Sequence, residues 1–151
     1  MRINTKLAVA IHILALIELN NLKEIPNTSE NLALSVNTNP VVVRRIMGML
    51  KKADLVDVRA GVGGASLKRR PKDITWLDIY NAIKLSGEAA LFSKHEKPNE
   101  KCYVGAHIHE VLDAPLHAAQ MAMERELSTF TLLDAITPIA KKNHMGITRG
   151  H

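Results

Sequence analysis

The chain has 151 residues, of which 46% are hydrophobic and 23% charged. This is the length of one compact domain with the composition of an ordinary globular protein, and no unbroken run of apolar residues is long enough to predict a membrane span. The apolar run after Lys6 lacks a small-residue cleavage site beyond Leu19, so we expect a cytoplasmic helix rather than a secretion signal. The single cysteine, Cys102, excludes an intrachain disulfide and leaves too few thiolates for an all-cysteine iron–sulfur cluster.

The net charge of +5 is concentrated in one part of the chain. Residues 40–72 contain nine Lys or Arg and two Asp, so this window carries +7 and the remaining residues carry −2. Such a window is typical of a phosphate-binding surface, although a solvated basic face without a ligand has the same composition. None of the five aromatic residues falls inside it, which favours duplex DNA over single strands bound by base stacking.

The first half of the chain predicts a helix-turn-helix. An apolar stripe predicts a first helix over 5–19, and a second, short helix begins at Asn27, whose capping box is completed by Glu30. After the polar turn 37–39, Asn39 caps a third helix in which Pro40 takes the first position and which runs to about residue 53. That helix places Val43, Ile46, Met47 and Leu50 on a core face and Val41, Arg45, Gly48 and Lys52 on the opposite face. Two short helices joined by a three-residue turn predict a helix-turn-helix.

The segment that follows predicts a β-hairpin. Alternating runs over 55–59 and 65–68 flank a glycine-rich tip at 60–64, and a hairpin after a helix-turn-helix is a wing. The glycines lack the lysine-serine ending of a P-loop and the strand and helix context of a dinucleotide site, so we assign no nucleotide to them.

The second half of the chain predicts three more helices. Thr75, with Asp78 three residues later, begins a fourth helix that runs to about residue 84 and buries Trp76, and a polar loop follows over 86–101. A helix over about 104–128 would span about 37 Å, contains Pro115, and carries more apolar surface than one small body needs. Its apolar stripe comprises Ile108, Val111, Leu112, Leu116, Ala119, Met123 and Leu127. Thr131 caps a last helix that ends near residue 140, and 141–151 is expected to be a frayed tail.

Several segments together resemble one family. They are residues 39–46 (NPVVVRRI), 51–56 (KKADLV), 59–67 (RAGVGGASL), 72–78 (KDITWLD) and 102–105 (CYVG). They resemble the Rrf-two family of bacterial winged-helix transcriptional regulators, the relatives of the iron–sulfur cluster regulator and the nitric-oxide-sensing repressor. The resemblance implies a mainly α fold with a small β-hairpin: a winged helix-turn-helix over 1–85, a sensor or effector loop over 86–103, dimerisation helices over 104–140 and a tail over 141–151.

The resemblance also implies a homodimer that binds an inverted-repeat operator in double-stranded DNA. Family members sense iron–sulfur clusters, nitric oxide, thiol oxidants or cysteine status. Those that ligate a cluster place three cysteines at six-residue intervals, whereas the two steps before Cys102 hold Glu96 and Ala90 here. We therefore expect no cofactor. The family also commonly has glycine where this chain has Asp54.

The expected DNA contacts fall into three groups. The outward N-terminal part of the third helix, with Asn39, Val41, Val42 and Arg45, is expected in the major groove, and Arg59 on the wing is expected in the minor groove. Phosphate contacts are expected from the basic side chains around them, namely Lys6, Arg44, Lys51, Lys52 and Lys68.

Cys102 has two interpretations. It is either a small residue at the start of the long helix or a redox-sensitive thiol whose thiolate is favoured by Lys101 and the helix N-terminus. A metal site with His95, His107 and His109 is not expected, because the last two would point to different sides of a helix. His12 is expected to be a core or interface histidine rather than a catalytic base.

The expected function is a dimeric, sequence-specific regulator of double-stranded DNA, a repressor that is redox-responsive if Cys102 is a sensor. The alternative is a protein-interaction module that recruits a metabolic enzyme through the 86–101 loop, with DNA binding secondary, and a small-molecule effector is a further candidate partner. No paired carboxylates, triad spacing or nucleotide motif predicts an enzyme.

Overall fold

A computed structural model of the chain describes residues 3–59, 63–84, 92 and 95–147. Its elements are α1 (Ile3–Leu22), α2 (Ser29–Val36), α3 (Pro40–Lys52), β1 (Val56–Arg59), β2 (Gly64–Leu67), a 3-10 turn (Pro71–Asp73), α4 (Trp76–Lys84), α5 (Ile108–Leu127) and α6 (Leu132–Lys142). The predicted class is confirmed: a mainly helical chain whose winged helix-turn-helix is followed by a long helix. Half of the predicted 86–101 loop, residues 86–91, 93 and 94, lies outside the described residues.

The core is built around α1. Its residues Ile13, Leu14 and Ile17 are fully buried, and the helix packs against α2, β2, α4 and α6. By length and composition alone, the stretch Thr5–Leu22 could also cross a membrane, and it is the one such helix among the described residues. Its place in the core accounts for the same apolar composition without a membrane.

The hairpin follows the third helix as predicted. β1 and β2 are antiparallel, with Val56 opposite Leu67 and Arg59 opposite Gly64. Val56 and Ala65 are buried against the core, so the base of the hairpin is part of the body. Of the predicted tip at 60–64, residues 60–62 lie outside the described residues, and Gly64 is already the first residue of β2.

Three of the four predicted helix caps are confirmed. The Asn39 Oδ1 accepts from the Val41 N–H at 2.8 Å, and Thr75 exchanges hydrogen bonds with Asp78. Thr131 forms a complete capping box with Asp134. The cap predicted at Asn27 is wrong, because Thr28 Oγ1 accepts from the Asn31 N–H at 3.1 Å while Asn27 is buried elsewhere.

The helices of the body end on left-handed residues other than glycine. All four non-glycine residues with positive φ in the described chain follow a helix, at Glu24, Asn37, Asp54 and His144. After α3, for example, the Leu55 N–H donates to Leu50 O at 3.0 Å and the Asp54 N–H donates to Lys51 O at 3.0 Å, the two bonds of a Schellman motif. A φ of 58° at Asp54 fits the glycine that the family commonly has there.

The C-terminal part differs from the prediction in three places. The helix predicted from residue 104 begins at Ile108, and residues 103–107 form turns instead, with Gly105 at a position where a Cβ would collide with the Asn99 carbonyl. Trp76 is only half-buried and donates from Nε1 to Thr131 O at 3.0 Å. The tail expected from residue 141 starts later, since α6 runs to Lys142 and Met145 still packs on the core.

The apolar stripe predicted along α5 divides into two sets. Val111 and Ala119 are exposed, whereas the other five residues are half-buried: Ile108, Leu112, Leu116, Met123 and Leu127. No residue of α5 is buried. The exposed apolar face of this helix is therefore made mostly of small side chains around Val111.

Candidate nucleic-acid interface

The third helix presents one face to the core and the other to solvent. Val43, Ile46 and Leu50 are buried, which fixes the rotation of the helix about its axis. The opposite face exposes Arg45, Gly48 and Lys52, and Val41 is 54% exposed near the N-terminal end. A helix held in this way by its core face can place its outer face and its first turn in a DNA major groove.

Two of the predicted base-contacting residues have additional roles in the fold. Val42 is half-buried and packs against the core, so it is less available to DNA than predicted. Asn39 is exposed, but its Oδ1 caps α3, which leaves its amide Nδ2 for an outside partner. Arg45 and Val41 are the residues of this set with the most freedom to contact base edges.

The predicted phosphate contacts surround this face. Lys51 and Lys52 are exposed in the last turn of α3. Arg44 Nη2 lies 2.7 Å from Glu30 Oε1 and Lys68 Nζ lies 2.8 Å from Asp54 Oδ1. Ion pairs on the surface are weak enough to exchange a carboxylate for a phosphate, so both cations remain available.

The Lys68–Asp54 pair keeps both groups charged. The hydrogen bond from Lys68 and its positive charge lower the pKa of Asp54. The same hydrogen bond and the charge of Asp54 raise the pKa of Lys68. Lys68 is therefore a cation throughout the neutral range.

Lys6 requires a correction. Its side chain is only 6% exposed, whereas a phosphate contact requires an ammonium group at the surface. The sequence predicts Lys6 within the first helix, but its burial depends on tertiary packing, which the local sequence does not reveal. In this conformation Lys6 is part of the body and not of the DNA-facing surface.

The hairpin carries Arg59 at its outer end. Arg59 is exposed at the end of β1, opposite Gly64. Two further exposed arginines follow the hairpin, with Arg70 Nε 2.8 Å from Asp73 Oδ2 and Arg69 Nη1 3.5 Å from Asp78 Oδ2. Both belong to the basic window of the sequence. The i,i+3 spacing of Arg70 and Asp73 is a signal for their pair, whereas Asp78 is too far along the chain from Arg69 for spacing to predict contact.

Cys102 is exposed in the turns before α5. Hydrogen bonds from the backbone N–H groups of Gly105 and Val104 lower the pKa of its thiol. The sequence predicted that Lys101 and the helix N-terminus favour the thiolate. In the structure the backbone N–H groups of the turn have this effect instead. The thiol is accessible and has more thiolate character than an ordinary cysteine.

The residues around Cys102 do not fit an iron–sulfur cluster. Cys102 would supply one sulfur ligand, and the positions six and twelve residues earlier hold Glu96 and Ala90. In the described ranges no three His, Cys, Asp or Glu side chains lie close enough to hold a metal ion. His109 Nε2 instead lies 3.0 Å from the carbonyl oxygen of His95.

His12 lies outside this surface. It is exposed rather than buried, and its Nε2 lies 3.0 Å from Ser35 Oγ, so the core position offered as one alternative is wrong. The pair bridges α1 and α2 on a side of the body that lines a groove with α6.

Comparison with known proteins identifies the family. Residues 3–138 match the Rrf2 family, described as "Iron-dependent Transcriptional regulator". The chain is 51% identical over 134 residues to the "Putative HTH-type transcriptional regulator YwnA" of Bacillus subtilis strain 168, a match that covers 89% of this chain and 96% of that protein.

Solved structures share the fold. A "Crystal structure of a putative DNA binding protein" is 46% identical, with a TM-score of 0.68, and the match covers 87% of this chain and 98% of that chain. IscR of T. potens is 21% identical with a TM-score of 0.64, over 98% of this chain and 94% of that one, which shows the fold alone. With the match to YwnA and the exposed third helix and wing, these similarities show that the chain belongs to the Rrf2 (Rrf-two) family, whose members are transcriptional regulators and not enzymes.

Proposed function

We propose that this protein is a cytoplasmic homodimer that binds an inverted-repeat operator in double-stranded DNA and represses transcription. The observation that carries the proposal is the outer face of α3, where Val41, Arg45 and Lys52 are exposed opposite a fully buried core face. Membership of a family of transcriptional regulators supports it.

The chemistry of this face assigns separate roles. Arg45 can donate two hydrogen bonds to O6 and N7 of a guanine, and Val41 can contact a thymine methyl group. Arg59 would enter the minor groove beside the recognition helix α3. Phosphate contacts fall to Arg44, Lys51, Lys52 and Lys68, which position the protein without specifying a sequence.

The proposed dimer rests on α5. Although the helix has 20 residues, it buries none of them, and Val111 is 65% exposed. Ala118, Ala119 and Ala122 extend the exposed apolar face along the helix. Small side chains allow a second helix to approach closely, and a two-fold dimer would present two copies of α3 to an inverted repeat.

The first experiment tests base recognition. After selection of bound duplexes from a random pool, Arg45→Ala should weaken operator binding by about 1–3 kcal/mol and relax preference at one base pair. Lys52→Ala is the matched control: it should weaken operator and random DNA alike and reduce the slope of binding against salt by about one.

Two results would contradict the proposal. If Arg45→Ala loses as much affinity for random DNA as for the operator, Arg45 does not contact a base. If no duplex is enriched and binding is insensitive to salt, the protein is not a DNA-binding regulator and acts through protein contacts instead.

We propose further that Cys102 is the redox-sensitive group and that no iron–sulfur cluster takes part. Its accessibility and lowered pKa favour attack of the thiolate sulfur on a peroxide oxygen. The S–O bond forms, the O–O bond breaks, and sulfenic acid and hydroxide are the products.

The test combines binding with alkylation. Peroxide should change the operator affinity of the wild type but not that of Cys102→Ser. Iodoacetamide should react with Cys102 at a lower pH than with a free thiol, because the pKa of Cys102 is lowered. Gly105→Ala should shift that alkylation midpoint upward, since a Cβ collides with Asn99 and displaces a donating N–H. An unresponsive wild type would remove the sensor role.

A further inference from the structure

We infer that Asn27 is a positioning residue that sets the minor-groove preference of the hairpin, an inference that rests on the proposed DNA-binding function. Asn27 lies in the loop before α2 and is only 6% exposed. It makes its contacts to the hairpin through backbone atoms of the hairpin, which leaves the hairpin side chains free to contact DNA.

The first set of contacts fixes the second strand. The Asn27 backbone N–H donates to Gly63 O at 2.7 Å, and its Nδ2 donates to Ala65 O at 3.2 Å. These two carbonyls flank Gly64, the residue directly opposite Arg59 in the strand register. Asn27 therefore holds the hairpin at the position across from the arginine proposed to enter the minor groove.

The second set of contacts joins Asn27 to the end of the first helix. Asn20 Nδ2 donates to Asn27 Oδ1 at 2.9 Å, and Asn27 Nδ2 lies 2.9 Å from Asn21 Oδ1. Asn21 Nδ2 donates to Ala65 O at 3.0 Å. Asn20, Asn21 and Asn27 form what we call the asparagine cluster. Their side-chain amides bond to one another and to Ala65 O, and so connect the core helix α1 to the hairpin.

The hairpin needs such a connection. A two-stranded hairpin is only marginally stable by itself, so its direction is set by what holds its base. Gly63 has a φ of 62°, and a Cβ there would lie 2.9 Å from Thr28 Cγ2, which shows how closely the loop after Asn27 packs against the hairpin. The base of the hairpin stays in the core through Val56 and Ala65, so loss of the Asn27 side-chain contacts would leave the strand pairing intact and free only its outer end, at Arg59 and Gly64, to shift.

A shift of the outer end of the hairpin affects its minor-groove contact more than the major-groove contacts of α3. In the minor groove a G·C pair differs from an A·T pair by the guanine N2 amino group, which narrows access for an inserted arginine. Contacts of α3 in the major groove do not pass through the hairpin. Asn27 should therefore control base preference at the pairs under the wing, which we call the flanking pairs, but not at the pairs contacted by α3.

The experiment uses full-length protein and the selected operator in three forms at one flanking pair: A·T, G·C and I·C. An I·C pair has the major-groove face of G·C without the minor-groove amino group. The wild type should bind the G·C form about five- to tenfold more weakly than the A·T form, and I·C should restore binding.

Asn27→Ala and Asn27→Asp should each bind the three forms of the operator with affinities within a factor of two of one another. Their discrimination at the base pairs contacted by α3 should stay as in the wild type. Asn31→Ala is the matched control, because Asn31 lies nearby in the first turn of α2 and its amide donates to Pro26 O at 2.9 Å rather than to a residue of the hairpin. It should keep the full flank preference. Thermal unfolding of each variant establishes that binding is measured on folded protein.

Different failures have different meanings. If folded Asn27 variants keep the flank preference, Asn27 has only a structural role and the inference is overturned while the regulator stands. The inference is equally overturned if the wild type binds its operator without distinguishing A·T from G·C in the flanks. If the wild type enriches no operator, the proposed function itself fails.

Discussion

The first and fifth helices have the same length and opposite surroundings. Both contain 20 residues. α1 buries Ile13, Leu14 and Ile17 completely and is packed by three other helices and a strand. α5 buries no residue, and among the other helices its main neighbour is α4.

Two polar contacts join α5 to α4. Gln120 Nε2 donates to the Tyr80 hydroxyl at 3.1 Å, and Lys84 Nζ lies 3.6 Å from Glu124 Oε1. Such contacts orient the helix against the body without covering its apolar face around Val111. Helices of equal length thus differ in their surroundings: the apolar side chains of α1 are covered within the chain, whereas the apolar face of α5 around Val111 stays exposed, as on the interaction surfaces of other proteins.

The largest expected effect is in the core helix. Ile13→Ala should lower the free energy of unfolding by about 3 kcal/mol, because it removes a fully buried side chain and leaves a cavity. Val111→Ala shortens a similar β-branched side chain in α5. In dilute solution it should lower the free energy of unfolding by less than about 1 kcal/mol.

Urea unfolding measures both values, with far-ultraviolet circular dichroism as the signal. Equal losses for the two variants would mean that α5 is packed as tightly as α1, and the contrast between the helices would be wrong.

The next effect concerns association rather than folding. Val111→Asp should weaken the proposed dimer by more than about tenfold, because an unpaired carboxylate would be buried between two helices. Sedimentation velocity over a range of concentrations measures the shift to monomer, and the melting temperature should lose its dependence on concentration.

His117→Asp is the control, since His117 is exposed on another face of the same helix. If His117→Asp dissociates the dimer and Val111→Asp does not, a different face of α5 forms the interface.

The predictions from sequence succeeded where the cause was local. Asn39 with Pro40, Thr75 with Asp78, and Thr131 each start a helix through bonds made within four residues, so composition and spacing were enough. For the same reason, alternation and glycine predicted the hairpin and its order after α3.

The predictions failed where distant residues decide the outcome. Asn27 has the chemistry of a cap, but its Oδ1 accepts from Asn20 Nδ2 and its Nδ2 donates to the Ala65 carbonyl, 38 residues later. Its capping oxygen is therefore occupied, and the cap falls to Thr28. Lys6 has the chemistry of a phosphate contact, yet the body buries it. The start of α5 depends on how Gly105 packs against Asn99, which no helical period reveals.

The two kinds of helix also end differently. Body helices α1, α2, α3 and α6 are followed by a left-handed residue, whereas α5 ends at Ser128 with φ −70°. There the Ser128 hydroxyl donates to Arg125 O at 2.6 Å and the Thr129 hydroxyl donates to Glu126 O at 2.7 Å. The body therefore relies on backbone geometry at its helix ends, and α5 relies on hydroxyl groups.

The smallest expected effect tests this difference at the turn of the helix-turn-helix. Asn37 has φ 57°, and the Thr38 N–H donates to Ala33 O at 3.0 Å as α2 ends. Asn37→Ala should lower the free energy of unfolding by about 1 kcal/mol, since a Cβ without a compensating polar group disfavours the left-handed region, and Asn37→Gly should cost less. Ser128→Ala should stay within about 0.5 kcal/mol, because it removes only an exposed hydroxyl bond. Urea unfolding of the three variants measures these values. If Asn37→Ala and Ser128→Ala lower the free energy of unfolding equally, the left-handed residue does not hold the turn. The angle between α2 and α3 must then come from their core contacts alone.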